Sequence, residues 1–221
     1  MKQEQEMIGQ LLDWARKNDN IRTVLITSSR ANPHAFTDLF TDYDFEIFVN
    51  DLNAFTKDDG WLDQFGSLIK KVVLEDGNWR TRLVLYEDGT KIDFQITTND
   101  FVKHLASMSE LPDEYDNGYK VLLDKDGIAK GIPVPSYTAY ITKKPSAERF
   151  ADIINSFWGD TAYVANSLWR DELYFAKYML DNIIRFHYLQ PAIEWYMGVK
   201  HDWSVNPNKC GRWFKRYLDE D

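Results

Sequence analysis

The sequence predicts an α+β fold, because strand patterns fill its first half, helical patterns fill its second, and the proline-bearing residues 131–145 separate the two. Met7, Ile8, Leu11, Leu12 and Ala15 recur at helical spacing, so residues 4–17 read as an amphipathic helix ended by Asn18-Asp19-Asn20. The run at 21–27 suits a buried strand, and so does Phe45-Glu46-Ile47-Phe48-Val49. Between them lies a loop over 30–41, broken by Asn32-Pro33. Residues 51–60 are polar and turn-like, and Trp61, Leu62, Phe65, Leu68 and Ile69 predict a second amphipathic helix. After a loop at 75–78, strands at 79–86 and 90–97 join through Asp88-Gly89, a preferred pair for a tight hairpin turn. A helix over 99–109, a loop over 111–118 and a short strand at 121–123 follow. Asp124-Lys125-Asp126-Gly127 reads as a turn, since no acidic ligands follow at the spacing of a calcium loop.

From Ser146 onward helix follows helix. Phe150, Ile153, Ile154 and Phe157 line the first, and Tyr163, Val164, Ser167 and Leu168 suggest the second. Asp171 can cap a third, whose stripe is Leu173, Ala176, Leu180, Ile183 and Ile184. Pro191 opens a helix through Val199, and residues 209–218 form a last one. The expected domains are therefore 1–135 and 136–221.

Composition narrows the function classes. The 221 residues are 44% hydrophobic and 15% aromatic, enough for a sizeable core and unlike a disordered chain. The 26 Lys and Arg against 35 Asp and Glu leave a net charge of −9, which argues against a nucleic-acid partner and fits a small cationic substrate. A solubility role for that charge is the plainer alternative. The lone Cys210 excludes an internal disulfide and a thiolate metal cluster, so a reducing cytoplasm is expected. The N-terminus, Met1-Lys2-Gln3-Glu4-Gln5-Glu6, lacks the apolar core of a signal peptide, and no run approaches the ~20 apolar residues of a membrane span.

The chemistry concentrates in residues 28–44. Asp42-Tyr43-Asp44 leads into a strand, and side chains two apart on a strand share a face roughly 7 Å from each other. Tyr43, Phe45, Ile47 and Val49 take the other face and pack on a core. Paired carboxylates repel, and a divalent cation relieves the repulsion, although Asp-x-Asp at a strand entry is also a common polar turn. Upstream, Ser28-Ser29-Arg30 offers donors for phosphate oxygens. Downstream, Lys91-Ile92-Asp93-Phe94-Gln95-Ile96 alternates and puts Asp93 on its polar face. Three acids on adjacent strands beside a phosphate-binding turn form the palm arrangement of metal-dependent nucleotidyl transfer.

Ser28-Ser29-Arg30-Ala31-Asn32-Pro33, Asp42-Tyr43-Asp44 and Lys91-Ile92-Asp93 resemble the active-site motifs of the aminoglycoside 6-adenylyltransferases, the streptomycin-modifying enzymes. The likeness continues through residues 121–127, 144–147 and 173–180, nearly the whole chain. It implies a nucleotidyltransferase palm followed by an all-helical substrate-binding domain, with the active site in the cleft between them. It also implies transfer of AMP from Mg-ATP to the 6-hydroxyl of streptomycin. Three departures stand out: Ser28 occupies a position that is usually glycine, the segment between Leu74 and Trp79 is shorter than its counterpart, and the family continues with more helix beyond the last residues here.

Asp42 and Asp44 are then expected to hold Mg²⁺, and Asp93 either completes the cluster or takes the hydroxyl proton as general base. Ser28, Ser29 and Arg30 would bind the nucleotide, with a salt bridge to a nearby acid the alternative for Arg30. Glu46 shares the acids' strand face and could support the metal through the acids beside it, but a solvated or lysine-paired side chain is the preferred reading. By resemblance Lys177 reaches the triphosphate; a lysine snorkelling from a packed helix is the competing reading. Asp171 and Glu172 are candidates for the amino or guanidino groups of the substrate. Trp158 and Trp169 could offer faces to a cation or sugar ring, with the core the preferred place for tryptophans at helical spacing. Another acceptor, whether aminoglycoside, protein or nucleotide, and a catalytically inactive nucleotide-binding partner are the alternative functions.

Overall fold

The computed structural model describes residues 4–55 and 57–218. Met1, Lys2 and Gln3 of the polar N-terminus, Thr56, and the last three residues of the terminal stretch lie outside them.

Helix α1, Glu4–Lys17, buries Met7, Leu11 and Ala15, one residue per turn, as its spacing predicts. Glu4 and Glu6 stand in its first turn and Arg16 and Lys17 in its last, each matching the sign of the helix dipole. Lys125 closes the C-terminal end by donating to the carbonyls of Ala15 and Asn18, at 2.9 and 2.8 Å. Strand β1, Ile21–Thr27, runs into a four-residue helix, α2, Ser28–Ala31. Strand β2, Tyr43–Val49, returns antiparallel to β1.

The predicted helix over Trp61 to Ile69 does not form. A 3₁₀ segment, Gly60–Phe65, stops at Gly66, and strand β3, Leu68–Asp76, follows. Gly66 has φ +150°, and a Cβ there would lie 3.1 Å from the Tyr86 ring, so only glycine fits the break. Beyond it Ile69, Val72 and Val73 are β-branched and favour extension. The predicted loop at 75–78 is the turn between β3 and β4, Trp79–Tyr86. Buried Arg82 donates from Nε to Asp59 and from Nη2 to the Phe55 carbonyl, which fixes the turn-rich segment beside the sheet.

Strand β5, Lys91–Thr98, follows the hairpin and lies parallel to β2. Helix α3, Asp100–Ser107, a short helix α4, Asp113–Asp116, and strand β6, Tyr119–Asp124, complete the sheet region. The predicted loop at 111–118 thus contains one helical turn. The six strands stand in the order β3-β4-β5-β2-β1-β6, a mixed sheet whose one parallel pair is β2 with β5. Tyr43, Phe45, Ile47 and Val49 enter a core with Met7, Leu11, Phe65 and Phe94, as their alternation predicts. On the opposite face Leu25 and Phe48 pack with Val102, Leu105 and Tyr115. The central strands are therefore buried on both sides, while β3 is exposed along most of its length.

The chain divides into two compact units, Met1–Ala139 and Tyr140–Asp221. The second is helical, so the α+β class holds. Helix α5, Ala147–Trp169, is one helix of 23 residues where two were predicted. Gly159 is the one interior glycine, and its cost of about 1 kcal/mol is too small to end a helix that has no proline. Ser146 caps it, accepting from the Arg149 N–H at 3.0 Å. After Trp169, Asp171 adopts φ +59° and does not cap; Glu172 precedes helix α6, Leu173–Tyr178. A π-helical stretch, Met179–Leu189, leads into α7, Gln190–Lys200, whose second residue is Pro191. The last predicted helix is reduced to two 3₁₀ turns, Lys209–Gly211 and Phe214–Arg216, because Cys210 and Gly211 both take positive φ.

Candidate active site

The site is a product of strand register. Asp42 precedes β2, Asp44 lies on it, and parallel pairing sets Asp44 directly beside Asp93 of β5. Carboxylate oxygens of Asp42, Asp44 and Asp93 all lie within 4.8 Å of one another. Among the described residues this is the one cluster of His, Cys, Asp or Glu with the geometry to hold a metal ion.

Electrostatics marks the cluster as strained. Burial pushes the Asp44 carboxyl up to about 6, and the charges of Asp42 and Asp93 push the same way. A hydrogen bond from the Ser28 hydroxyl and the charge of Lys91 act against that rise. Burial also raises Asp93, aided by Asp42 and opposed by Lys91. Lys91 bridges two of the acids: its Nζ donates to Asp42 Oδ2 at 2.8 Å and to Asp93 Oδ2 at 3.1 Å. Asp93 Oδ1 is buried and lacks a hydrogen-bond partner. An orphaned carboxylate oxygen beside two further acids fits a hard divalent cation, for which oxygen is the preferred ligand.

Ser28, in the predicted phosphate-binding turn, has φ +60°, a backbone region that favours glycine. The turn keeps a glycine-like conformation despite the Cβ, and the hydroxyl that comes with it reaches Asp44. Ser29 follows within α2. Arg30 is engaged on protein groups: Nε donates to the Asp42 carbonyl, Nη2 to the Thr41 carbonyl, and Nη1 pairs with Glu4 at 2.7 Å. Its guanidinium also lies 3.9 Å over the Tyr43 ring. These contacts hold the backbone of Asp42 in place, and the salt bridge is the alternative the sequence offered for this residue. A cavity of about 200 Å³ is lined by Arg30, Tyr43, Thr90 and Lys91 among others.

Glu46 differs from its expected solvated state. It is buried, accepts a hydrogen bond from the Tyr115 hydroxyl at 2.6 Å, and is pushed up to about 7 by burial. Tyr115 carried no signal as its partner, being 69 residues away in sequence. Lys91 did carry one that went unused: a residue two before Asp93 on a strand shares its face.

The remaining predicted residues lie in the second unit. Lys177 sits in α6 and pairs with Asp181, one turn on, at 2.6 Å. Asp171 and Glu172 are exposed in the turn before α6. Trp158 and Trp169, expected in a core, are both exposed.

The family model described as streptomycin adenylyltransferase matches residues 1–221. The aminoglycoside 6-adenylyltransferase of Bacillus subtilis (strain 168) is 34% identical over 99% of this chain and 77% of its own length. That of Campylobacter jejuni is 33% identical over 100% of this chain and 76% of its own. A crystal structure of an aminoglycoside 6-adenyltransferase from Bacillus subtilis, 30% identical, covers 99% of this chain and 76% of that one, with a TM-score of 0.45.

Proposed function

This chain belongs to the streptomycin adenylyltransferase family and is an adenylyltransferase, and from that premise we propose that it modifies an aminoglycoside, moving AMP from ATP to the 6-hydroxyl of streptomycin and so conferring resistance. The observation that carries the reading is the convergence of Asp42, Asp44 and Asp93 from neighbouring strand positions. In the proposed reaction the acceptor hydroxyl oxygen attacks the α-phosphorus of ATP. The new bond is P–O to that hydroxyl oxygen, the bond that breaks is P–O to the β-phosphate, and pyrophosphate leaves.

Asp42, Asp44 and the unpartnered oxygen of Asp93 are the groups that would hold Mg²⁺. Bound there, magnesium supplies the positive charge that offsets the triphosphate and the charge developing at phosphorus. Asp93 is also the candidate to receive the hydroxyl proton, as the alternative to completing the cluster. Ser28 and Ser29 offer hydroxyls at the turn, while Arg30 acts by positioning Asp42. In the helical unit, exposed Asp171 and Glu172 suit cationic amino and guanidino groups, and Lys177 suits an anionic nucleotide. A net charge of −9 favours arrival of a cationic acceptor.

Pyrophosphate release from Mg-ATP plus streptomycin is the test. The native enzyme should release it only with the drug present. Asp44→Asn should lower the rate at least about a thousandfold, the scale of roughly 4 kcal/mol of lost transition-state stabilisation, without lowering the melting temperature. Release that ignores streptomycin would reassign the acceptor, and ATP binding without release from any aminoglycoside would overturn the reading.

A further inference from the structure

Lys91 spends its ammonium on the same carboxylates that the proposed reaction needs for metal. Its two bonds go to Oδ2 of Asp42 and Oδ2 of Asp93, on the cluster whose oxygens lie within 4.8 Å of one another. Three ionised carboxylates against one ammonium leave two negative charges, which is the charge of one divalent cation. The cluster is thus partly neutralised before any ligand arrives, and a cation already seated there repels a second one at short range. The ammonium is not locked in: Lys91 is 46% exposed, and its side chain also borders the cavity shared with Arg30, Tyr43 and Thr90.

We propose that Lys91 is the resident counter-ion of the acid cluster, whose ammonium leaves Asp42 and Asp93 for the triphosphate when the metal arrives with the nucleotide. The inference rests on the metal-dependent reading above and goes beyond it by giving Lys91 two positions in one cycle. In the first it holds Asp42 and Asp93 in place and keeps a bare divalent ion out. In the second it neutralises phosphate oxygens, donors and charge being what an ammonium supplies to an anion. A metal ion alone should therefore bind weakly, and a metal–nucleotide complex should bind well.

The test is a titration of the whole chain, first stripped with a chelator, with Mn²⁺ followed by electron paramagnetic resonance. The native protein is compared with Lys91→Met and Lys91→Gln, two substitutions that remove the charge with different polarity, each checked for a cooperative melt. Without nucleotide, both variants should bind Mn²⁺ at least tenfold more tightly than the native protein. With a non-hydrolysable ATP analogue present that advantage should disappear, because only the native protein gains the contact with the triphosphate. Equal or weaker Mn²⁺ binding in the variants without nucleotide would overturn the counter-ion role. An advantage kept in full with the analogue would overturn the transfer to the triphosphate. If no form binds Mn²⁺ with or without nucleotide, the metal-dependent reading fails too, and the two failures are told apart.

Discussion

In the first unit the Phe94 ring is wholly buried among Phe45, Trp61 and Phe65, whereas in the second the indole of Trp169 is 91% exposed. The contrast extends beyond these two residues. Helix α5 runs for 23 residues and buries only Ile153 and Ser167, while the seven residues of β2 bury six. The difference follows from how each element satisfies its backbone. A strand must pair with neighbours, and pairing at once supplies side chains beside its own. A helix closes its hydrogen bonds within itself, so an apolar stripe can form with nothing set against it.

This contrast can be broken by substitution. Phe94→Ala should cost about 3–5 kcal/mol in urea unfolding, since the ring is removed from a packed aromatic cluster. A loss below about 1 kcal/mol would mean that the sheet core is not the stabilising mass of the first unit.

Glu46→Gln sharpens the comparison in the opposite direction, because burial on the other face of the sheet, beside Tyr115, is unfavourable for a charge. The Glu46 carboxyl sits near 7 in the fold against an ordinary 4.5, so the folded state holds the proton more tightly than the unfolded chain. Its contribution to stability is full below about pH 4.5 and is lost as pH rises through about 7. The variant should therefore be more stable than the native protein by about 3 kcal/mol at pH 8 and no more stable at pH 4. Chemical denaturation with chelator present, at both pH values, measures it. A pH-independent difference would contradict the buried, proton-holding environment.

Trp169→Ala should give the smallest effect, within about 0.5 kcal/mol, despite removing the largest side chain of all. A cost near that of Phe94→Ala would erase the distinction between the units.

Several elements were legible because their signals are local. The helix over 4–17, the strands at 21–27 and 79–86, and the core face Tyr43, Phe45, Ile47 and Val49 follow from periodicity within a few residues. Trp61 to Ile69 misled because three apolar residues at helical spacing end at Gly66, whose φ of +150° no periodicity reveals. Tyr163 and Leu168 were legible as a stripe but not as exposed, since a pattern says which side is apolar and not whether another element covers it. At the site, Asp42 and Asp44 shared a face by strand geometry alone. Arg30 did not show its engagement on Asp42, Thr41 and Glu4, which come together only when α1 and the loop fold against it.

By itself the sequence determined which residues stand on which side of each strand, where the first helix ends, and that three acids lie on polar strand faces. Those properties repeat every two or 3.6 residues and need no distant partner. Only the tertiary structure decided that β5 lies parallel to β2 with Asp93 beside Asp44, that Lys91 bridges two of the acids, and that Glu46 is buried on the Tyr115 hydroxyl. Each of these depends on contacts between segments that periodicity does not connect, and the energy of a charge there depends on what those segments exclude from around it.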